Sequence, residues 1–353
     1  MGVQGVQVEE IESLSPGNFR DLRPVYGIII FVRHKPEPQH RDDIFTANNN
    51  VYFANQLVHN AYPMHAMLSV LLNCEDSVDI GPQLVDFKEF TSEFSPMMKG
   101  LSLSNSKVLK DAYNKVARRR PTSSTSNEDM YRYISYLRMG GHLWELDGLK
   151  KGPLRLAPCS EENWLDMVRT EIQRKVDLFC RQQIPFSMWS VIEDRYRVYQ
   201  RRLVAKAYIK HAIERQLDTS YPTWRILMRV QQWEDEYRHA MENERRTRGR
   251  EVLIMNTFYR TIEDLPNEEQ EAVHAELASG DLGRCMEELT HTWLRLQDET
   301  LRLYERLGEE SMRRQQYQQH GAIRRQHDYK PFIKAFIGYL ASQGHLQHII
   351  TDS

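Results

Sequence analysis

Apolar and polar positions change period several times along the chain, and each change marks an element. Residues 24–32 read Pro-Val-Tyr-Gly-Ile-Ile-Ile-Phe-Val, and Tyr26 to Val32 is the longest apolar run. Such a β-branched and aromatic run predicts a strand buried on both faces. Residues 33–50 are polar, contain two prolines and predict a loop. Beyond Pro63, apolar Met64, Met67, Leu68, Leu71 and Leu72 recur at helical spacing, so a helix starts at about Pro63. Residues 87–98 and 108–116 predict two further helices, with the serines of 102–106 supplying capping oxygens between them. Residues 118–129 hold no apolar side chain and predict a second loop.

A sheet follows. Residues 131–138 alternate as a strand, Gly140-Gly141 turns the chain, and 142–147 and 154–156 predict two more strands. Residues 164–179 form an amphipathic helical pattern, 186–192 a last strand, and the sheet-bearing domain ends near Asp194. From Tyr196 to Met241 the pattern is helical with an interruption at Tyr221-Pro222. Met286, Leu289, Trp293, Leu296, Thr300, Leu303 and Leu307 then alternate spacings of three and four, an a/d seam. That seam packs either on its own chain or against another. Residues 325–348 form a short element rich in Phe, Ile and Leu. The resulting organisation is α+β over 1–194, a helical and partly coiled-coil extension over 195–322, and a terminal docking element over 323–353.

Composition narrows the function classes. With 41% hydrophobic and 27% charged residues, the chain reads as a soluble globular protein and excludes collagen-like and wholly disordered classes. No run reaches the ~18 apolar residues of a membrane span. The opening residues have neither a secretory nor a myristoylation pattern. Four cysteines stand singly, which predicts a reducing compartment without a disulfide framework. The net charge of −2 hides a division. Residues 195–250 carry 14 Lys/Arg against 7 Asp/Glu, whereas 251–353 carry 11 against 17. No Walker loop, GxGxxG or HExxH occurs, and the histidines make no metal-like pair with cysteine, so no cofactor and no metal are expected. The basic run 244–250 lacks interleaved aromatics and predicts a solvated helix end or an acidic protein partner rather than nucleic acid.

The most specific residues are Phe-Ala-Asn-Gln-Leu-Val-His-Asn-Ala-Tyr-Pro-Met-His-Ala-Met-Leu-Ser-Val-Leu-Leu-Asn-Cys over 53–74. This stretch resembles the active-site helix of the ubiquitin C-terminal hydrolases, papain-like cysteine peptidases that release groups from ubiquitin's C-terminus. The resemblance continues through 87–90, 98–106, 134–136, 144–148 and 192–194. Residues 324–333 resemble the C-terminal helical extension of the family's long-tailed, proteasome-associated branch. A papain-like domain, an antiparallel sheet flanked by helices, is what the resemblance implies for the first half.

It also implies site residues. In the family a Gln lies six residues before the nucleophilic Cys, and a general-base His precedes its orienting Asp by fifteen. Gln56 then falls on the oxyanion donor and Asp147 on the orienting carboxylate, while Tyr62 occupies the nucleophile position and Arg132 the base position. A phenol with pKa ~10 does not replace a thiolate, and a guanidinium with pKa above ~12 accepts no proton. The resemblance therefore implies a catalytically inactive member. Gln56 and Asp147 could equally be polar fold residues, and Tyr62 either a space-filler or a plug that alters ubiquitin binding. Arg132 and Asp147 are expected to pair across adjoining strands. Cys74, twelve residues past Tyr62, reads as a buried core thiol.

Two other functions stay open: a weakly active thiol-dependent deubiquitinase, and a helical assembly module that no longer meets ubiquitin. The long-tailed branch docks its extension onto a helical adaptor domain found in a proteasomal ubiquitin receptor and in a chromatin-remodelling subunit. Phe332, Ile333, Phe336, Ile337 and Leu340 stand at helical spacing as the corresponding face, or pack on the 286–307 helix. Ubiquitin and that adaptor are the implied partners, with no membrane and no nucleic acid, in cytoplasm and nucleus. The branch's Lys-rich tail has no counterpart after Leu346, which predicts weaker adaptor affinity. Residues 118–129 correspond to the family's crossover loop and look short.

Overall fold

A computed structural model describes residues 2–33, 51–57, 61–74, 77–116, 131–230, 235, 239, 259–279, 283, 285–326 and 330–342. The chain divides into two units, Met1–Arg197 and Val198–Ser353.

In the first unit six strands make one antiparallel sheet: β1 (Val6–Glu10), β2 (Val25–Arg33), β3 (Tyr131–Met139), β4 (His142–Asp147), β5 (Leu154–Pro158) and β6 (Phe186–Glu193). Their spatial order is β1-β6-β2-β3-β4-β5. The central strand β2 explains why an unbroken apolar run was needed. Ile28, Ile29 and Ile30 are all fully buried, yet Ile28, Ile30 and Val32 join one core while Ile29 joins another. Period-2 alternation sends successive side chains into layers on the two faces. Each such burial contributes about 1.5–3 kcal/mol.

One face is covered by α1 (Pro16–Asp21) and α6 (Trp164–Arg181), through Phe19, Trp164, Val168 and Ile172. The other is covered by α2 (Tyr62–Leu71), α3 (Pro82–Phe90), α4 (Pro96–Asn105) and α5 (Lys107–Val116), through Leu68, Leu84, Leu103 and Leu109. The single helix expected over 87–98 is thus two. Pro82 opens α3, and Pro96 opens α4 behind Ser95, whose Oγ accepts from the Met98 N–H at 3.3 Å. Ser102 and Ser104 lie inside α4, and only Ser106 caps, accepting from the Leu109 N–H at the start of α5. Sequence reading also passed over β1 and α1. Of the loop expected over 33–50, Arg33 is instead the last residue of β2, its N–H bonded to the Pro185 carbonyl, and the rest lies outside the described residues, as does the loop expected over 118–129.

In the second unit α7 (Arg195–Ser220) begins in the first unit and ends just before Tyr221-Pro222, and α8 is the short Trp224–Leu227. Most of 231–258, including the basic run, lies outside the described residues. A 3-10 turn, Ile262–Asp264, leads to α9 (Asn267–Ala278), then α10 (Met286–Gln326) and α11 (Lys330–Ser342). The seam residues Leu289, Trp293 and Leu296 of α10 pack with Ile209, Ile213 and Leu217 of α7 and with Trp224. Trp224 meets Trp293 edge-on at 5.6 Å, and their indole N–H groups donate to Asp218 and Glu214. The upper seam is therefore filled by its own chain. Of the expected docking face, Phe332, Ile333, Phe336 and Ile337 on α11 are exposed, Phe332 by 64% and Phe336 by 52%, whereas Leu340 is half-buried.

Candidate functional site

The residues singled out as a site gather where the 51–57 segment, the start of α2 and the adjoining ends of β3 and β4 meet. The segment is fixed mainly through its backbone. The Asn55 N–H donates to the Pro96 carbonyl at 2.9 Å and the Gln56 N–H to the Gly148 carbonyl at 2.8 Å. The Asn55 side-chain amide donates to the carbonyls of Gly148 and Lys150. Two glycines permit this approach. A Cβ on Gly100 would stand 2.1 Å from the Asn55 carbonyl oxygen, and one on Gly148 would stand 2.9 Å from both Gln56 Cβ and Tyr133 Oη.

Gln56 is buried, and its Nε2 donates to the Tyr131 carbonyl at 2.9 Å. Its Oε1 is also buried and has no hydrogen-bond partner among the described residues. The amide expected to meet an oxyanion is thus engaged by a backbone carbonyl.

Tyr62 is the first residue of α2, followed by Pro63 in the first turn, where a proline's missing N–H costs nothing. Its half-buried ring packs edge-on against Phe31 at 5.5 Å and stacks on Tyr131 at 5.7 Å with a 21° interplanar angle. The phenol therefore sits among rings from β2 and β3.

Arg132 and Asp147 form an ion pair, Nη1 to Oδ2 at 3.5 Å, and both are buried. They are not directly opposed: Asp147 lies across from Ile134, so the pair runs diagonally between β3 and β4. Burial raises the Asp147 carboxyl above its ordinary range, and the Arg132 guanidinium and the Leu149 N–H oppose that shift. Behind them Glu145, also buried, receives the Tyr136 hydroxyl, Lys150 and Lys175. Burial alone would raise its carboxyl, but the two ammonium groups outweigh it and hold it below the usual range.

Cys74 and His65 do not supply an alternative nucleophile–base pair. Burial pushes the Cys74 thiol up to about 12, and its Sγ faces the Tyr26 carbonyl at 3.7 Å beyond the far end of α2. His65, on the same helix, is buried and pushed down to about 4 by desolvation, with Nε2 3.4 Å from Ser104 Oγ. A neutral imidazole in an apolar layer fills space rather than pairing with a thiol. Among the described residues no group of His, Cys, Asp and Glu could hold a metal ion, and no helix is long and apolar enough to cross a membrane.

Sequence reasoning singled out Gln56, Tyr62, Arg132 and Asp147, and the structure brings Gln56 and Tyr62 to Tyr131, the neighbour of Arg132. It did not single out Phe31, Tyr131, Gly100 or Gly148, although Gly100 and Gly148 lie inside the 98–106 and 144–148 stretches that carry the resemblance and Tyr131 stands next to the base position.

Comparison with known proteins places these features in context. Residues 1–177 match the family described as ubiquitin carboxyl-terminal hydrolase, family 1, and residues 302–346 match the one described as ubiquitin carboxyl-terminal hydrolases. The chain is 34% identical over 219 residues to ubiquitin carboxyl-terminal hydrolase isozyme L5 of Dictyostelium discoideum, covering 61% of this chain and 63% of the relative. It is 36% identical to ubiquitin carboxyl-terminal hydrolase BAP1 of Xenopus tropicalis, covering 57% of this chain and 33% of the relative. It is 30% identical to ubiquitin carboxyl-terminal hydrolase 2 of Schizosaccharomyces pombe, covering 55% of this chain and 68% of the relative. The chain thus spans about a third to two thirds of the length of these relatives. The Trichinella spiralis UCH37 catalytic domain bound to ubiquitin vinyl methyl ester superposes with a TM-score of 0.48 at 28% identity, covering 54% of this chain and 87% of that one.

Proposed function

Because the chain belongs to the ubiquitin carboxyl-terminal hydrolase family 1, we propose that it is a member without hydrolase activity, a protein that binds ubiquitin and a helical adaptor but does not cut. Tyr62 carries this reading. A thiol at the start of a helix has its pKa lowered by the helix dipole and a neighbouring imidazolium, which makes a thiolate available near neutral pH. At the corresponding place this chain has a phenol wedged between two rings, and at the base position a guanidinium tied to Asp147. Removing a nucleophile–base pair leaves at most ~10³–10⁴-fold over water from binding and the oxyanion donor.

The alternative of a thiol-dependent deubiquitinase acting through Cys74 is disfavoured, because that half-buried thiol lies beyond the far end of α2 from Tyr62, faces the Tyr26 carbonyl and stays protonated. The outward apolar face of α11 supports adaptor binding, in a proteasomal or chromatin-associated assembly of cytoplasm and nucleus. The deciding experiment is cleavage of a ubiquitin–fluorophore conjugate by the purified chain. The expected result is no turnover above buffer; turnover abolished by Gln56→Ala would overturn the reading. Titration with free ubiquitin separates it from a purely helical assembly module, which would give no binding signal.

A further inference from the structure

Loss of the nucleophile does not by itself bar ubiquitin's C-terminal tail from the space beside position 62. The rings around Tyr62 do more. Phe31 lies opposite Tyr133, and Tyr131 stands two residues earlier, at the start of β3, so Phe31 and Tyr131 are diagonal neighbours on one face of the sheet. The Tyr62 ring enters from the first turn of α2 and touches both. An attacking atom must come within ~3–3.5 Å of the carbonyl it attacks. A phenol built on the same Cβ extends well past the point where a thiol sulfur stops and occupies the volume a scissile carbonyl would need.

Gln56 reinforces the closure from behind. Its amide donates to the carbonyl of Tyr131, the residue whose ring stacks on Tyr62, while its Oε1 stays buried. The donor that would meet a developing oxyanion instead anchors the strand carrying the third ring. We propose that Phe31, Tyr62 and Tyr131 latch the cleft shut, so that this protein takes ubiquitin by its globular body and leaves the C-terminal tail outside; the inference rests on the ubiquitin-binding reading above.

The test compares intact ubiquitin with ubiquitin lacking its C-terminal tail, against the full wild-type chain and Tyr62→Ala. Both ligands should bind wild type within about twofold of each other, whereas Tyr62→Ala should prefer intact ubiquitin by at least ~5-fold, with its affinity for the truncated form unchanged. A roughly tenfold loss for wild type on tail removal would overturn the latch, as would a Tyr62→Ala variant that still makes no distinction. If neither ligand binds wild type, the ubiquitin-binding reading fails, and the latch is decided without ubiquitin. Denaturation of Tyr62→Ala, Tyr131→Ala and the double variant should then give a combined loss smaller than the sum of the single losses. Additive losses would reject it.

Discussion

Arg132 reaches Asp147 on a diagonal, its Nη1 3.5 Å from Oδ2 although the carboxylate's strand partner is Ile134. An imidazole at position 132 would project toward the same carboxylate, and a thiol at 62 would remove the phenol from between Phe31 and Tyr131. Tyr62→Cys with Arg132→His should therefore produce measurable hydrolysis of a ubiquitin–fluorophore conjugate, whereas each single change should not, because the pair acts as a unit. Equal rates for Tyr62→Cys alone and the double variant would show that Arg132 is no obstacle. Adding Tyr131→Ala should act mainly by lowering KM.

The same pair sets a stability expectation. Asp147→Asn takes the charged partner at 3.5 Å from a buried guanidinium and should cost about 3–5 kcal/mol, whereas Arg132→Met with Asp147→Leu should cost less than that single change. Urea denaturation of the three proteins checks this; a double variant less stable than Asp147→Asn would contradict it.

His65 gives a pH dependence whose sign is fixed. Its folded pKa of about 4 lies below the usual 6.5, so the unfolded chain takes up the proton first as pH falls. Stability from this group is intact above about pH 6.5 and is lost progressively between there and about pH 4. Between pH 7.5 and 5.5 the loss should be about 1 kcal/mol, above the range where carboxylates titrate. His65→Gln should flatten that part of the curve; an unchanged slope would count against a neutral buried imidazole.

Gly100→Ala places a methyl on the Asn55 carbonyl and should cost about 1–3 kcal/mol or more, since backbone rather than a flexible side chain must yield. Gly17, inside α1 with nothing within 4 Å of its would-be Cβ, is the control: Gly17→Ala should be neutral or stabilise by about 0.4–1 kcal/mol. Thermal melts of the two variants should move in different directions.

The outward face of α11 should carry adaptor binding. Phe332→Asp with Phe336→Asp breaks a stacked pair 6.0 Å apart and should abolish co-purification with the helical adaptor domain while leaving the melting temperature nearly unchanged. An unchanged complex, or none for wild type at micromolar concentration, would reject that role.

What could be read from sequence was local. The β2 run announced itself because both its faces are buried, Gln56, Tyr62 and Asp147 lay in short motifs, and Arg132 was reached by its spacing from Asp147. The helix expected over 87–98 failed because its apolar residues continue past the point where Ser95 and Pro96 start a new helix. The edge strand β1 carries Gln7, Glu9 and Glu10 and gains its identity only from β6. Phe31 and Tyr131 acquire meaning only when β2, β3 and α2 converge, a juxtaposition no local period encodes. The direction of the Gln56 amide is likewise set by Tyr131, 75 residues away.

The sheet order also bears on how the protein is made. Val8 of β1 pairs with Val191 of β6, and among the described residues β6 is the only strand that β1 pairs with. At ~5–20 residues per second, a ribosome releases the second partner roughly 10–40 s after the first. Throughout that interval β1 leaves the tunnel as an unpaired strand, with β2 waiting for the same late partner. The first unit therefore cannot close while it is being synthesised, and nascent chains should depend on holding chaperones until β6 emerges.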